Sequence, residues 1–228
     1  MRAVARFQAA STCVGCAPGA MSPFAELCWL DRRVPVPKQT IRVIAGSAGS
    51  VPLYPVKSMG TRPMTDRVKK SLFDILTPRL PGARVLDLFA GTGALGIEAL
   101  SRGAESCVFV EKSRAASEVV ERNLERTRLA DRGRVLGFDA WKAVTMLSDE
   151  RFETDLVIFD PPFAMGKERN RGRLATLAER VAKRLLADDG LFVYHHEFDT
   201  PTDLGTESLA LTDRREYTRN VVGLFVKA

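Results

Sequence analysis

The sequence has few side chains that bind metals and no long apolar segment. Only four cysteines and two histidines occur in 228 residues, and His195 and His196 lie far along the chain from the Cys-x-x-Cys pair, Cys13 and Cys16. A structural zinc site needs four ligands at suitable spacing, so we expect no metal site and a reduced, cytoplasmic protein. No apolar run is long enough to span a membrane. The sequence therefore predicts a soluble protein without a disulfide framework.

Positive charge is in modest excess and is unevenly distributed. The 34 lysines and arginines outnumber the 28 acidic residues, which gives a formal net charge of +6. Residues 38–80 carry eight basic and two acidic side chains, whereas residues 81–228 carry 22 and 24. This distribution predicts a basic appendage that holds a polyanion ahead of a nearly neutral main domain. An ordinary solvated helix face is the alternative.

The chain divides into three predicted segments. Residues 1–37 show no hydrophobic periodicity and faintly resemble an organelle transit peptide, so we interpret them as a disordered tail or a start codon placed too early. Residues 38–80 predict a β-hairpin followed by a helix with Thr65 as its N-cap. Residues 81–228 alternate between strand and helix patterns and form the main domain.

The main domain is predicted to contain a parallel sheet. Its strands are continuous apolar runs at residues 85–89, 107–110, 156–159 and 191–194. Such runs are typical of parallel strands buried on both faces, and amphipathic helical patterns lie between them. The runs at 208–212 and 221–226 have no helix between them and predict an antiparallel pair at the sheet edge. This order predicts an α/β fold with helices on both faces of the sheet.

A glycine-rich loop follows the first strand. Gly91, Gly93 and Gly96 form a G-x-G-x-x-G pattern, and Glu111 lies 20 residues after Gly91, as in dinucleotide-binding proteins. Asp87 would repel a pyrophosphate but can receive the ammonium of an amino acid, and Glu111 can accept hydrogen bonds from both hydroxyls of a ribose. S-adenosylmethionine has both groups and no phosphate, so this pair favours it. The alternative role of Asp87 is a buried cap of the glycine turn.

A tetrapeptide, Asp160-Pro161-Pro162-Phe163, follows the third apolar run. In an open α/β sheet it faces the same crevice as the glycine loop. The exocyclic amine of a base is a poor nucleophile because its lone pair is delocalised into the ring. The Asp160 carboxylate and the Pro161 carbonyl can accept its two N–H groups, while Phe163 stacks on an extruded base. A loop that merely ends a strand is the alternative interpretation.

Together these motifs resemble the bacterial 16S rRNA guanine-N2 methyltransferases of the RsmD type. The tetrapeptide is similar to the Asp/Asn-Pro-Pro-aromatic motif of amine N-methyltransferases, and the resemblance extends to the sequences at 62–67 and 87–104. It covers about residues 40–227. It implies a Rossmann-like class I methyltransferase with a mostly parallel seven-stranded sheet, and direct methyl transfer from S-adenosylmethionine to a guanine amine in small-subunit rRNA. Neither a metal nor a covalent intermediate is implied.

The resemblance also implies roles for individual residues. The cofactor-binding residues would be Asp87, Phe89, Gly91, Thr92, Gly93, Glu111, Asp139 and Ala140. The target guanine would be held by Asp160, Pro161, Pro162 and Phe163, and the 16S rRNA, free or within an assembling small subunit, would contact Arg42, Arg62, Thr65, Arg67 and Lys69. The sequence departs from the family at His195 and His196, where an acid is common, and we interpret both as strand-end residues.

Other functions remain open at the level of sequence. An adenine-N6 DNA methyltransferase and a protein glutamine methyltransferase can both use a Pro-Pro-aromatic loop. An NAD-dependent oxidoreductase would use the glycine pattern and would not need Asp160. A non-catalytic RNA-binding protein could have kept the fold.

Overall fold

The structure is a computed structural model that describes residues 41–56 and 64–228. The predicted tail at residues 1–37, with Cys13 and Cys16, and the predicted RNA contact Arg62 lie outside these residues. The helices are α1 (Asp66–Leu76), α2 (Ala94–Ser101), α3 (Arg114–Thr127), α4 (Ala140–Asp149), α5 (Phe163–Gly166) and α6 (Glu168–Arg184). The strands are β1 (Arg84–Asp87), β2 (Ser106–Val110), β3 (Gly133–Leu136), β4 (Thr154–Phe159), β5 (Leu186–Glu197), β6 (Leu209–Tyr217) and β7 (Asn220–Lys227).

The seven strands form one sheet in the order β3-β2-β1-β4-β5-β7-β6. Neighbouring strands from β3 to β5 are parallel, whereas β7 is antiparallel to both β5 and β6. This confirms the predicted mostly parallel seven-stranded fold and its antiparallel edge. The chain winds outward from β1 to β3 and then returns to place β4 on the other side of β1. Ligands in open α/β sheets bind beyond the strand ends at such a reversal, so β1 and β4 position the site.

Apolar side chains cover both faces of the sheet. Val85 of β1 packs with residues of α1, α2 and α3, whereas the adjacent Leu86 packs with residues of α4 and α6. Successive side chains of a strand point to opposite faces, so a strand covered on both sides is apolar throughout. Among the described residues, no helix is both long enough and apolar enough to cross a membrane.

The predicted N-terminal hairpin is reduced to a single antiparallel bridge between Arg42 and Pro52. Backbone hydrogen bonds flank the bridge, the shortest from Leu53 N to Ile41 O at 2.7 Å. Pro52 and Pro55 have no N–H to donate, so the ladder does not extend into two regular strands. The chain here is a compact loop, and residues 41–56 are called the N-terminal segment below.

A buried asparagine connects the N-terminal segment to the loop after β1. Asn123 of α3 is fully buried; its Oδ1 accepts from the backbone N–H of Tyr54 (2.7 Å), and its Nδ2 donates to the carbonyl of Thr92 (2.8 Å). The guanidinium of Arg122 lies 4.3 Å from the centroid of the Tyr54 ring. One side chain therefore fixes two separate stretches of backbone.

Candidate active site

Three carboxylates meet at the carboxyl edge of the sheet. Asp87 is the last residue of β1, Glu111 follows β2, and Asp160 follows β4. Since β1 lies between the other two strands, Asp87 interacts electrostatically with both neighbours. The structure thus brings the glycine-loop and tetrapeptide motifs into one crevice.

Asp87 is the most deeply buried of the three carboxylates, at 1% exposure. Its Oδ2 accepts a hydrogen bond from the backbone N–H of Gly96 (3.0 Å), whereas its Oδ1 has no hydrogen-bond partner among the described residues. Burial, with smaller contributions from Asp160 and Glu111, raises the pKa of Asp87 to about 7. A buried carboxylate oxygen without a partner is costly, and a bound cation would compensate for it.

The loop between β1 and α2 depends on glycine at two positions. Gly91 and Gly93 have φ angles of 57° and 78°, a left-handed conformation that other residues rarely adopt. A Cβ atom on Gly93 would also lie 3.0 Å from Cγ1 of Val120. These glycines let the loop turn sharply into α2 and bring backbone N–H groups close to the crevice.

Glu111 fixes the other wall of the crevice. One carboxylate oxygen accepts from the backbone N–H of Gly91 (3.0 Å), and the other accepts from the N–H of Ser113 (2.8 Å). Each carboxylate oxygen can accept more than one hydrogen bond, so the half-buried Glu111 keeps acceptor capacity towards a ligand.

The remaining predicted cofactor residues lie at the same end of the sheet. Asp139 follows β3 and is the exposed N-cap of α4, where its Oδ1 accepts from the N–H of Trp141 at 3.0 Å. Ala140 is buried behind it. The half-buried Phe89 packs edge-on against Phe159, with ring centroids 5.4 Å apart.

The tetrapeptide that begins with Asp160 turns from β4 into α5. Asp160 is half-buried, and its Oδ1 lies 2.7 Å from Nδ1 of His195 at the end of β5. Pro161 is buried and Pro162 is the N-cap of α5, whose first residue is the half-buried Phe163. The ring of Phe163 lies 6.1 Å from that of His195. A carboxylate and an aromatic face therefore stand together beyond the end of β4.

Comparison with known proteins identifies the family. The family model described as Conserved hypothetical protein 95 matches residues 41–226. The rRNA methyltransferase candidate YlbH of Bacillus subtilis is 36% identical over 189 residues, which cover 82% of this chain and 99% of that protein. The chain belongs to the RsmD-like methyltransferase family. This membership excludes the oxidoreductase interpretation.

Two further matches to this RsmD-like methyltransferase, one a sequence and one a solved structure, come from Escherichia coli. Ribosomal RNA small subunit methyltransferase D is 40% identical over 126 residues, which cover 55% of this chain and 62% of that protein. The solved structure of the methyltransferase candidate yhhF is 31% identical, with a TM-score of 0.66, and the match covers 82% of this chain and 98% of that one.

The cofactor of this RsmD-like methyltransferase is S-adenosylmethionine, and the crevice fits it. The unpartnered Oδ1 of Asp87 is a suitable acceptor for the ammonium group, and Glu111 keeps acceptor capacity for hydroxyl groups. Within residues 41–56 and 64–228, no group of three His, Cys, Asp or Glu side chains is placed to hold a metal ion.

One predicted RNA contact of the methyltransferase is wrong. Lys69 is only 2% exposed, because its Nζ donates to the carbonyl of Arg42 and lies 3.6 Å from Oε2 of the fully buried Glu98. Glu98 also accepts hydrogen bonds from the backbone N–H groups of Ile44 (2.6 Å) and Ala45 (3.1 Å). Lys69 therefore helps to hold the N-terminal segment on α2 and cannot reach RNA.

The other predicted RNA-facing residues within the described chain are exposed. Arg42 pairs with Asp66 at 3.0 Å, and Arg67 points to solvent from the first turn of α1. Thr65 is exposed and, as predicted, is the N-cap of α1, where its Oγ1 accepts from the N–H of Val68 at 3.4 Å. These three residues lie on the surface formed by the N-terminal segment and the start of α1.

Sequence reasoning missed the contact between His195 and Asp160. It placed His195 only as a strand-end residue and gave it no partner. The available signal was positional: both residues directly follow apolar runs, and β4 and β5 pair in parallel with Phe159 opposite Tyr194. Asp160 and His195, which follow this pair, therefore lie side by side at the carboxyl edge of the sheet.

Proposed function

We propose that this protein transfers a methyl group from S-adenosylmethionine to the exocyclic N2 amine of a guanine in 16S rRNA. The observation that carries the proposal is the placement of Asp160 and Phe163 beyond β4, beside the carboxylates of Asp87 and Glu111. The Escherichia coli relative named Ribosomal RNA small subunit methyltransferase D supports the substrate class.

The cofactor-binding residues have separable tasks. Asp87 receives the ammonium group of S-adenosylmethionine at its free Oδ1, and Glu111 accepts hydrogen bonds from the ribose hydroxyls. The backbone of Gly91, Thr92 and Gly93, with the side chain of Phe89, lines the space between these two anchors. Asp139 and Ala140 flank the adenine at the end of β3. The bound cofactor supplies the electrophilic methyl group on a sulfonium centre.

The residues of the tetrapeptide prepare the acceptor nitrogen. Asp160 Oδ2 and the Pro161 carbonyl accept the two N–H groups of the guanine amine and hold its lone pair towards the methyl group. Pro162 stiffens this turn, and Phe163 stacks on the extruded base. Nitrogen must release one proton after transfer, and Asp160, whose side chain is 25% exposed, can pass that proton to water.

RNA binding is proposed for the exposed surface formed by the N-terminal segment and the start of α1. Arg42, Thr65 and Arg67 contact the phosphates and sugars of 16S rRNA, free or within an assembling small subunit, and Arg62 is proposed to join them. The site of this activity is the cytoplasm, where the ribosomal subunits of bacteria assemble.

Labelled methyl transfer tests the proposal. The protein is incubated with S-adenosylmethionine carrying a labelled methyl group and unmodified 16S rRNA or small subunits, and the product nucleotide is mapped. We expect N2-methylguanine, and a loss of rate of at least about 100-fold in Asp160→Ala. Asp131→Ala, an exposed aspartate remote from the crevice, is the matched control. Labelling of DNA or protein alone, or full activity in Asp160→Ala, would contradict the proposal.

A further inference from the structure

His195 and Asp160 form a close pair whose geometry the fold dictates. His195 Nδ1 lies 2.7 Å from Asp160 Oδ1, and the histidine side chain is 4% exposed. The parallel register of β4 and β5 sets the two residues side by side. The ring of Phe163 lies beside this pair, with its centroid 6.1 Å from that of the His195 ring.

The short distance determines where the imidazole carries a hydrogen. An ionised carboxylate only accepts hydrogen bonds, so a contact of this length requires a hydrogen on Nδ1 of His195. The other ring nitrogen, Nε2, is buried without a hydrogen-bond partner among the described residues. A ring with its single hydrogen on Nε2 would set two acceptors, Nδ1 of His195 and Oδ1 of Asp160, against each other at 2.7 Å, so the contact favours the tautomer with its hydrogen on Nδ1.

We propose that His195 is a positioning residue for methyl transfer. Its Nδ1–H donates to Asp160 Oδ1, fixes the plane of the carboxylate and leaves Oδ2 as the oxygen that receives the target amine. The terminal torsion of an aspartate is broad, so without this donor the carboxylate would sample many orientations. This inference rests on the proposed function of Asp160.

A purely structural role for His195 makes a different prediction. If the ring only fills space, a leucine of similar volume should serve, and loss of activity should follow loss of stability. If the ring positions Asp160, a side chain must donate a hydrogen bond from the place of Nδ1. The amide nitrogen of asparagine occupies that place, whereas leucine has no donor.

The experiment compares His195→Leu and His195→Asn with the wild type. Steady-state methyl transfer at several RNA concentrations gives kcat and KM, calorimetry gives the affinity for S-adenosylmethionine, and thermal unfolding reports stability. We expect His195→Leu to lower kcat by about 10–100-fold and to change cofactor affinity by less than about twofold. His195→Asn should recover most of the lost rate. His196→Leu is the control, because His196 bonds to Thr202 instead of Asp160.

Two results would overturn the inference. One is a wild-type kcat in His195→Leu, and the other is a folded His195→Asn variant that is as slow as His195→Leu. If the wild-type protein itself transfers no methyl group to rRNA, both the proposed function and this inference fail. That result differs from the two above, in which the wild type is active and only the inference fails.

A measurement on the unmodified protein covers the case in which the variants do not fold. Nitrogen-15 NMR of the histidine side chains distinguishes the two neutral tautomers. We expect the hydrogen of His195 on Nδ1 in the wild type, and loss of that signature in Asp160→Ala. A hydrogen on Nε2 in the wild type would contradict the proposal.

Discussion

Asp87 shows how a single side chain can oppose folding and serve binding. Its carboxylate is buried at the end of β1, one oxygen has no partner among the described residues, and its pKa is raised to about 7. In the unfolded chain the same group has a pKa near 4. Between these two values the folded protein holds a proton that the unfolded chain has released, so the free energy of unfolding falls as the pH rises from about 4 to 7.

Replacing Asp87 with asparagine should therefore stabilise the cofactor-free protein at high pH. The amide can still accept from Gly96 N and carries no charge to bury. At pH 8 we expect the free energy of unfolding to rise by roughly 2–4 kcal/mol, since each pKa unit corresponds to about 1.4 kcal/mol. The gain should be small at pH 4. Urea denaturation at both pH values measures it, and an equal loss of stability at both would contradict the prediction.

The affinity for S-adenosylmethionine should rise with pH, whereas the free energy of unfolding falls. The ammonium of S-adenosylmethionine needs the ionised carboxylate, and with a pKa of about 7 only about a tenth of the free protein is ionised at pH 6. We expect affinity to weaken about fivefold from pH 7 to pH 6, with a proton released on binding. Calorimetry in two buffers of different ionisation enthalpy detects that proton. Asp87→Asn should bind weakly and show neither effect.

For single residues, the sequence predicts the chemical task of a side chain better than it predicts which residue that side chain contacts. The tasks of Asp87 and Glu111 follow from their charge and their position at strand ends. The burial of Lys69 does not, because it depends on Glu98, which lies 29 residues away in a different helix. His195 and Asp160 are 35 positions apart in the chain, so their pairing depends on the register between β4 and β5.

Within a single element, α1, two neighbouring basic residues should behave differently. Arg67 is exposed, so Arg67→Ala should weaken RNA binding, lower the slope of log affinity against log salt by about one, and leave stability unchanged. Lys69 is buried against Glu98, so Lys69→Met should cost roughly 3 kcal/mol of unfolding free energy. RNA binding at several salt concentrations and denaturant unfolding separate the two effects. Equal loss of RNA affinity without destabilisation in both variants would contradict this assignment.

The secondary-structure elements could be predicted where burial is uniform. The apolar runs of β1, β2 and β4 predict buried parallel strands, which the structure confirms within two residues at each end. The strand β3 had no such signal, because Gly133–Leu136 is a short edge strand with the exposed Arg134 in it. The N-terminal hairpin is predicted from the alternation of its first run and the Gly/Ser turn that follows, and its prolines limit it to one bridge.

On the scale of the whole molecule, the N-terminal segment and the cofactor loop share one side chain. Asn123 binds Tyr54 N and Thr92 O at the same time. Asn123→Ala would leave both backbone groups without a partner, and we expect a loss of about 2–3 kcal/mol in unfolding free energy. Affinity for S-adenosylmethionine and affinity for RNA should fall together.

The control for this prediction is Asn170→Ala, which removes a half-buried asparagine whose Nδ2 donates to the Ala164 carbonyl at 2.9 Å. Calorimetry with the cofactor and a filter-binding assay with RNA test both affinities on the same samples. A fall in only one of them would show that Asn123 does not couple the two surfaces.

The strand order of the sheet also constrains when the protein can complete its fold during synthesis. β6 precedes β7 in the chain, but β7 is the strand that pairs with β5. Until β7 has emerged from the ribosome, β6 has no strand to join and β5 presents an open edge. Open apolar edges invite pairing with other chains. We therefore expect the protein to be prone to aggregation in the interval between the synthesis of β5 and that of β7.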